Sequence, residues 1–119
     1  MASERMLQMN VNAEGLPEGS VQVLLKGQLT WTHVKQFHVD IGQLLSKGYT
    51  VLEIDLAELT YLDSTGLGAF LAVHKKIQEA GGRLTITNPR RLIRHLFVSA
   101  HLDTVLEIGP EQPAQEPAP

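Results

Sequence analysis

Apolar positions recur along this chain with two different periods, and the changes between them mark the elements. From Arg5 to Asn12 the residues alternate, with Met6, Gln8 and Asn10 on one face and Leu7, Met9 and Val11 on the other, which predicts a first strand. Glu14-Gly15-Leu16-Pro17-Glu18-Gly19 is turn chemistry. Val21 to Leu29 predicts a second strand, with Val21, Val23 and Leu25 on one face, and a hairpin is the natural connection. Val34, Phe37, Ile41, Leu44 and Leu45 then step by threes and fours. That spacing predicts an amphipathic helix from about Thr32 to Ser46, stopped by Lys47-Gly48, with Thr30 or Thr32 as its N-cap.

The stretch from Val51 to Ala80 changes period within itself. Val51, Leu52, Ile54 and Leu56 predict a buried strand despite Glu53 and Asp55. A short polar crossing leads to Leu59, Tyr61 and Leu62, then to Asp63-Ser64-Thr65-Gly66-Leu67-Gly68. Leu67, Phe70, Leu71, His74 and Ile77 recur as on one face of a helix, which ends at Ala80-Gly81-Gly82. Arg83 to Thr87 predicts a short strand. Asn88 as N-cap and Pro89 at the first helical position predict a third helix with Leu92, Ile93, Leu96 and Phe97 as its apolar face. Ser99 to Asp103 breaks that helix, and Thr104 to Ile108 forms a last short strand or helical turn. The order is that of an α/β domain, one strand layer with helices packed on it. From Gly109 the chain reads GPEQPAQEPAP, with four prolines and no large apolar residue. It divides into a domain over residues 1–108 and a disordered Pro-rich tail over 109–119.

Asp63, Ser64 and Thr65 therefore stand where a buried strand has ended and a helix begins. Backbone N–H groups at a helix start lack intrahelical partners, and the macrodipole adds partial positive charge. A phosphate on a hydroxyl there would meet donors and would add about two negative charges beside Asp63. Gly66 and Gly68 remove side chains next to the hydroxyls, at roughly 1 kcal/mol each against Ala. Two readings fit: a modifiable switch, or an N-cap at Asp63 or Ser64 with glycines that permit tight helix–sheet packing.

Leu62-Asp63-Ser64-Thr65-Gly66-Leu67-Gly68, preceded by a strand carrying Asp55-Leu56 and followed by a helix ending in Gly81-Gly82, resembles the phosphorylation segment of STAS domains. More closely it is similar to bacterial anti-sigma factor antagonists, and the likeness runs from about Met6 to Ile108. The resemblance implies a single STAS-like domain with a mixed sheet of four or five strands and helices mainly on one face. It implies phosphorylation of Ser64, with Thr65 as the neighbouring hydroxyl. Asp63, Ser64, Thr65, Gly66, Leu67, Gly68, Thr30 and Trp31 would form the partner-binding surface. The implied partners are an anti-sigma factor that is also a serine protein kinase, and a PP2C-type phosphatase, the protein acting as a monomer or weak dimer. The alternative is a non-phosphorylated STAS subunit regulating a transporter or a signalling scaffold. In the antagonists the loop before the first helix usually reads Gly-Glu-Leu-Asp; Gln28 and Thr30 replace both acids here. Trp31, the only tryptophan, either anchors a partner or covers one end of the core.

Composition narrows the classes. With 119 residues, 43% hydrophobic and 5% aromatic, the chain suits one globular domain. A net charge of −3 with mixed signs argues against nucleic acid or an anionic membrane as a partner. No cysteine is present, so thiolate chemistry and disulfides are excluded. MASERMLQMN lacks the order of a signal peptide and no apolar run approaches a membrane span, so a cytoplasmic location is expected. His33, His38, His74, His95 and His101 show no metal-ligand spacing, and no dinucleotide or phosphate-loop fingerprint occurs. Ser64 and His74 lie about 15 Å apart along the helix, too far for a nucleophile–base pair. The expectation is a binding module with no catalytic residue, metal or cofactor, although Asp55, Asp63 and Asp103 could converge on a cation. Arg83, Arg90, Arg91, Arg94 and His95 form one basic cluster, either a solvated face or a dock for an acidic partner.

Overall fold

The computed structural model describes residues 6–111. Its elements are β1 (Leu7–Asn12), β2 (Ser20–Leu29), α1 (Val34–Ser46), β3 (Val51–Leu62), α2 (Ser64–Glu79), β4 (Arg83–Thr87), α3 (Arg91–Ser99) and β5 (Glu107–Ile108), with a 3-10 turn at Leu102–Thr104. The five strands lie in the order β1-β2-β3-β4-β5. β1 runs antiparallel to β2, and every other neighbouring pair is parallel. This is the mixed α/β sheet expected, with its fifth strand reduced to two residues.

Alternation in the strands decides where the helices go. Val21, Val23 and Leu25 of β2, Leu52, Ile54 and Leu56 of β3, and Leu84 and Ile86 of β4 are buried on one sheet face. The intervening residues, such as Gln22, Glu53, Asp55 and Thr85, are polar and only partly covered. All three helices contribute to the single core, through Phe37 and Ile41, Phe70, Val73 and Ile77, and Ile93 and Phe97. Phe70 links them, its ring centroid 5.3 Å from that of Phe37 and 5.4 Å from that of Phe97. Such tilted pairs add about 0.5–1.5 kcal/mol beyond their buried area.

The predicted polar crossing after Leu56 is part of one continuous strand. Leu24 pairs with Asp55, Lys26 with Glu58, and Gln28 with Tyr61, so β3 carries two extra residues relative to β2. Each bulge fits two residues, Ala57-Glu58 and Thr60-Tyr61, between leucines while Leu56, Leu59 and Leu62 all stay buried. β4 pairs with β3 only as far as Thr87 opposite Asp55. The paired ends of β2 and β3 therefore project beyond β4 by roughly 15 Å, at about 3.3 Å per residue over the five residues after Leu24. The start of α2 stands on that projection.

Helix ends differ from expectation at two places. α1 starts at Val34 with His33 as N-cap and no capping side chain, because Thr30 and Thr32 hydrogen-bond each other and the His33 ring instead. α3 starts at Arg91, not at Pro89: Asn88 takes a left-handed conformation (φ 54°), which Asn tolerates, and Arg90 is still extended. Gly48 (φ 95°) and Gly81 (φ 78°) end α1 and α2 as predicted. Leu71 and Leu92, assigned to buried faces by periodicity, are 39% and 62% exposed. The covered side of α2 centres on Phe70, Val73 and Ile77, that of α3 on Ile93 and Phe97. Gly109 is held to the domain, its N–H donating to the Ile86 carbonyl and its carbonyl accepting from Arg94 Nε. The predicted tail lies outside the described residues from 112 onward, as does Arg5 of the predicted first strand.

Candidate functional site

Asp63 is extended (φ −99°, ψ −177°) and N-caps α2 through Oδ1, which accepts the Gly66 N–H at 2.8 Å. The same oxygen accepts the Thr65 hydroxyl at 2.6 Å. Oδ2 accepts the backbone N–H of Trp31 at 3.0 Å, from the loop between β2 and α1. One carboxylate therefore closes the helix start and fastens a loop 32 residues earlier to it. Desolvation opposes its charge, but the Thr65 hydroxyl and the backbone N–H groups of Gly66, Trp31 and Thr65 outweigh it and hold the carboxyl below its ordinary value. Two of the helix-start donors that a phosphate would have found are thus already engaged by Asp63.

Ser64, the first residue of α2, is exposed, and its hydroxyl has no hydrogen-bond partner among the described residues. The two glycines separate in role. A Cβ on Gly66 would stand 2.4 Å from the Leu29 carbonyl oxygen and 2.5 Å from a Leu62 methyl, so Gly66 seats α2 on the ends of β2 and β3. A Cβ on Gly68 would meet nothing within 4 Å. Gly68 is exposed and leaves a bare stretch of helix that another chain can approach closely.

Trp31, whose backbone is tied to Asp63, is 71% exposed, which rules out its reading as a cover for the core. Tyr61, paired with Gln28 where β2 and β3 end, is 49% exposed, and Leu71, seven residues after Ser64 on α2, is 39% exposed. Sequence periodicity missed Tyr61 and Leu71, since only the β3 bulges and the rotation of α2 turn them outward. Thr30, half-buried, lies in a small polar group: its N–H donates to His33 Nδ1 at 3.2 Å and its hydroxyl lies 3.0 Å from the Thr32 hydroxyl. Leu67 is half-buried against the core.

The basic cluster does not act as one. Arg83 pairs with Glu107 across β4 and β5, and Arg90 Nε donates to the Ala57 carbonyl at 2.9 Å. Arg91, Arg94 and His95 border a cavity of about 460 Å³ on the outer side of α3 with Leu92, Val98 and Glu111. Among the described residues no three His, Asp or Glu side chains could hold a metal ion, and Asp55 instead accepts the Ala57 N–H at 2.9 Å. No described helix is long and apolar enough to cross a membrane.

The family model described as "Mlab, STAS domain" matches residues 12–107. The chain is 32% identical over 103 residues to an anti-sigma-B factor antagonist of Bacillus subtilis, covering 85% of this chain and 93% of that protein. Among solved structures, an anti-sigma factor antagonist from Mycobacterium paratuberculosis superposes with a TM-score of 0.75 at 19% identity, covering 94% of this chain and 90% of that one. The antagonist SpoIIAA in its unphosphorylated form gives 0.70 at 22% identity, covering 89% and 90%. With a family model over most of the chain and a relative 32% identical over 85% of it, this chain belongs to the STAS-domain family of bacterial anti-sigma factor antagonists.

Proposed function

We propose that this protein is a phosphorylation-controlled antagonist in a partner-switching pathway: unphosphorylated, it binds an anti-sigma factor that is also a serine kinase, and phosphorylation of Ser64 ends binding. The observation that carries the reading is the exposed Ser64 hydroxyl, without a partner among the described residues, beside the ionised Asp63 to which the loop of the exposed Trp31 is tied. Exposed aromatics are the residues most often found to anchor a protein interface. Thr30, Thr65, Leu67 and the bare backbone at Gly68 complete the contact surface.

The chemistry is a phosphoryl transfer. Ser64 Oγ bonds to the γ-phosphorus of ATP held by the kinase, the bond from that phosphorus to the β,γ-bridging oxygen breaks, ADP leaves, and the hydroxyl proton passes to a base or water. A PP2C-type phosphatase reverses the modification by hydrolysis. The phosphate brings about two negative charges to a point where a carboxylate already uses the nearby donors. Like-charge repulsion and desolvation then oppose an interface shaped for a hydroxyl, with no need to refold the domain. In this reading the protein acts in the cytoplasm, and its part is binding and not turnover.

Intact-mass spectrometry with site mapping on protein from its own cells, growing and stressed, tests the reading. A single phosphate on Ser64 whose occupancy changes with condition supports it. So does binding of the kinase by Ser64→Ala with resistance to modification, and loss of binding in Ser64→Asp. Absence of phosphate in every condition, with undiminished partner binding by Ser64→Asp, would favour a subunit of a transporter or signalling scaffold, a reading that the neutral Gln28 and Thr30 leave open.

A further inference from the structure

Two hydroxyls stand side by side at the start of α2, and they are in opposite states. Thr65 Oγ1 donates its proton to Asp63 Oδ1 at 2.6 Å, within the short range of a charge-assisted O–H···O⁻ bond. Ser64 Oγ has no partner among the described residues, although both residues are exposed. Exposure therefore does not distinguish them; hydrogen bonding does. The same carboxylate is held from two other directions, by Gly66 N–H at 2.8 Å and Trp31 N–H at 3.0 Å, so it cannot turn away to release Thr65 without opening the N-cap or freeing the Trp31 loop.

We infer that Thr65 is a positioning residue which confines modification to Ser64: its hydroxyl holds Asp63, so a phosphate on Thr65 would undo the turn that a phosphate on Ser64 leaves intact. This rests on the reading of Ser64 as the phosphorylated residue. Phosphorylation of Thr65 would replace the proton by which its oxygen holds Asp63, so the bond between them would be lost. The resulting phosphate would then stand directly against a carboxylate that its surroundings keep ionised. Ser64 likewise loses its proton and bonds to the γ-phosphorus, with ADP as leaving group, but breaks no hydrogen bond to another described residue. Among the described residues Thr65 also contributes the one side-chain donor to Asp63, so it helps hold the turn that presents Ser64.

Two measurements on the full chain test this. The first is phosphosite mapping of wild type and Ser64→Ala from native cells. Thr65 in Ser64→Ala is expected to carry phosphate at a level on the order of tenfold or more below that of Ser64 in wild type, equivalent to about 1.4 kcal/mol in barrier. The second, which needs no kinase, is the 13C-detected titration of the Asp63 carboxyl in purified wild type, Thr65→Val and Thr65→Ser. Thr65→Val removes the donor at nearly constant shape, and the Asp63 midpoint is expected to rise toward the ordinary aspartate value. Thr65→Ser keeps the hydroxyl and is expected to keep the low midpoint, which a purely space-filling role for Thr65 would not produce. Phosphate on Thr65 of Ser64→Ala at wild-type level, or an Asp63 midpoint indifferent to Thr65→Val, would overturn the inference while leaving Ser64 as the switch. Wild type without phosphate at either residue would remove the switch and the selection together, whatever the titration shows.

Discussion

Two helices follow parallel neighbouring strands, α2 after β3 and α3 after β4, and their beginnings are built in opposite ways. The start of α2 is acidic and determined from several sides. Asp63 caps it, Thr65 and Trp31 hold Asp63, and Gly66 seats it against Leu29. The start of α3 is basic and uncapped by any side chain, with Arg90 reaching out to the Ala57 carbonyl and Leu92 open to solvent. The β2–β3 bulges carry the first beyond the end of β4, whereas the second begins close to the last pair of β4. A side-chain cap satisfies one of the four open N–H groups of a helix start, and Asp63 does that through Gly66 alone; its further bonds to Thr65 and Trp31 hold the Ser64 turn and a loop in fixed relation. That excess of constraint, more than exposure or charge, sets the two regions apart.

The comparison can be broken or sharpened by substitution. The largest effect is expected for Gly66→Ala, because the new methyl meets the Leu29 carbonyl oxygen at 2.4 Å and backbone must move. A loss of about 1–3 kcal/mol in urea unfolding is expected from such overpacking. Asp63→Ala removes the cap and the tie to Trp31 together, and a loss of about 1–2 kcal/mol is expected, with Trp31 fluorescence changing in the native state. A loss below a few tenths of a kcal/mol would place the α2 start on a level with the uncapped α3.

Asp63 also gives the comparison a pH dependence. Its carboxyl is held below the ordinary value in the folded chain, so on acidification the unfolded chain takes up this proton first. Its stabilisation is complete above about pH 4–5, near and above the ordinary aspartate value, and is lost as pH falls through the lower folded value. The wild-type acid limb should therefore be steeper than that of Asp63→Asn in unfolding curves taken from neutral pH downward. Superimposable curves would mean that the carboxylate is no better held when folded.

Arg90→Ala, which removes a single exposed side-chain hydrogen bond to Ala57, is expected to cost no more than about 1 kcal/mol in thermal unfolding. A cost equal to that of Asp63→Ala would erase the contrast between the two helix starts. The smallest loss of stability, none or even a gain, is expected for Gly68→Ala. Its methyl enters open space, and helix propensity favours it by up to about 1 kcal/mol. Unchanged or raised stability with weakened partner binding would identify Gly68 as kept bare for an approaching chain, and unchanged binding would exclude that use.

Much of this was legible in advance because it is local. The alternation in β2 and the first half of β3, the three- and four-residue steps of α1 and α2, and the stops at Gly48 and Gly81 depend on neighbours within a turn or two. The Asp63-to-Gly68 segment was readable for the same reason, since strand, cap and helix follow in order. Expectation failed where competing local geometries were close in energy. Thr30 and Thr32 had His33 as an alternative partner to the α1 backbone, and Asn88 had the left-handed conformation as an alternative to capping α3.

By itself, then, the amino-acid order determined the element types, a single strand layer with helices packed on it and the place of Asp63, Ser64 and Thr65 at a helix start, because periodicity and capping act over a few residues. Only the tertiary structure decided that Gly66 is packing and Gly68 open, that the β3 bulges turn Tyr61 outward, and that Trp31 is fastened to Asp63. Those outcomes depend on how β2 and β3 pair in register and on contacts between residues more than thirty positions apart, about which a local pattern carries no information.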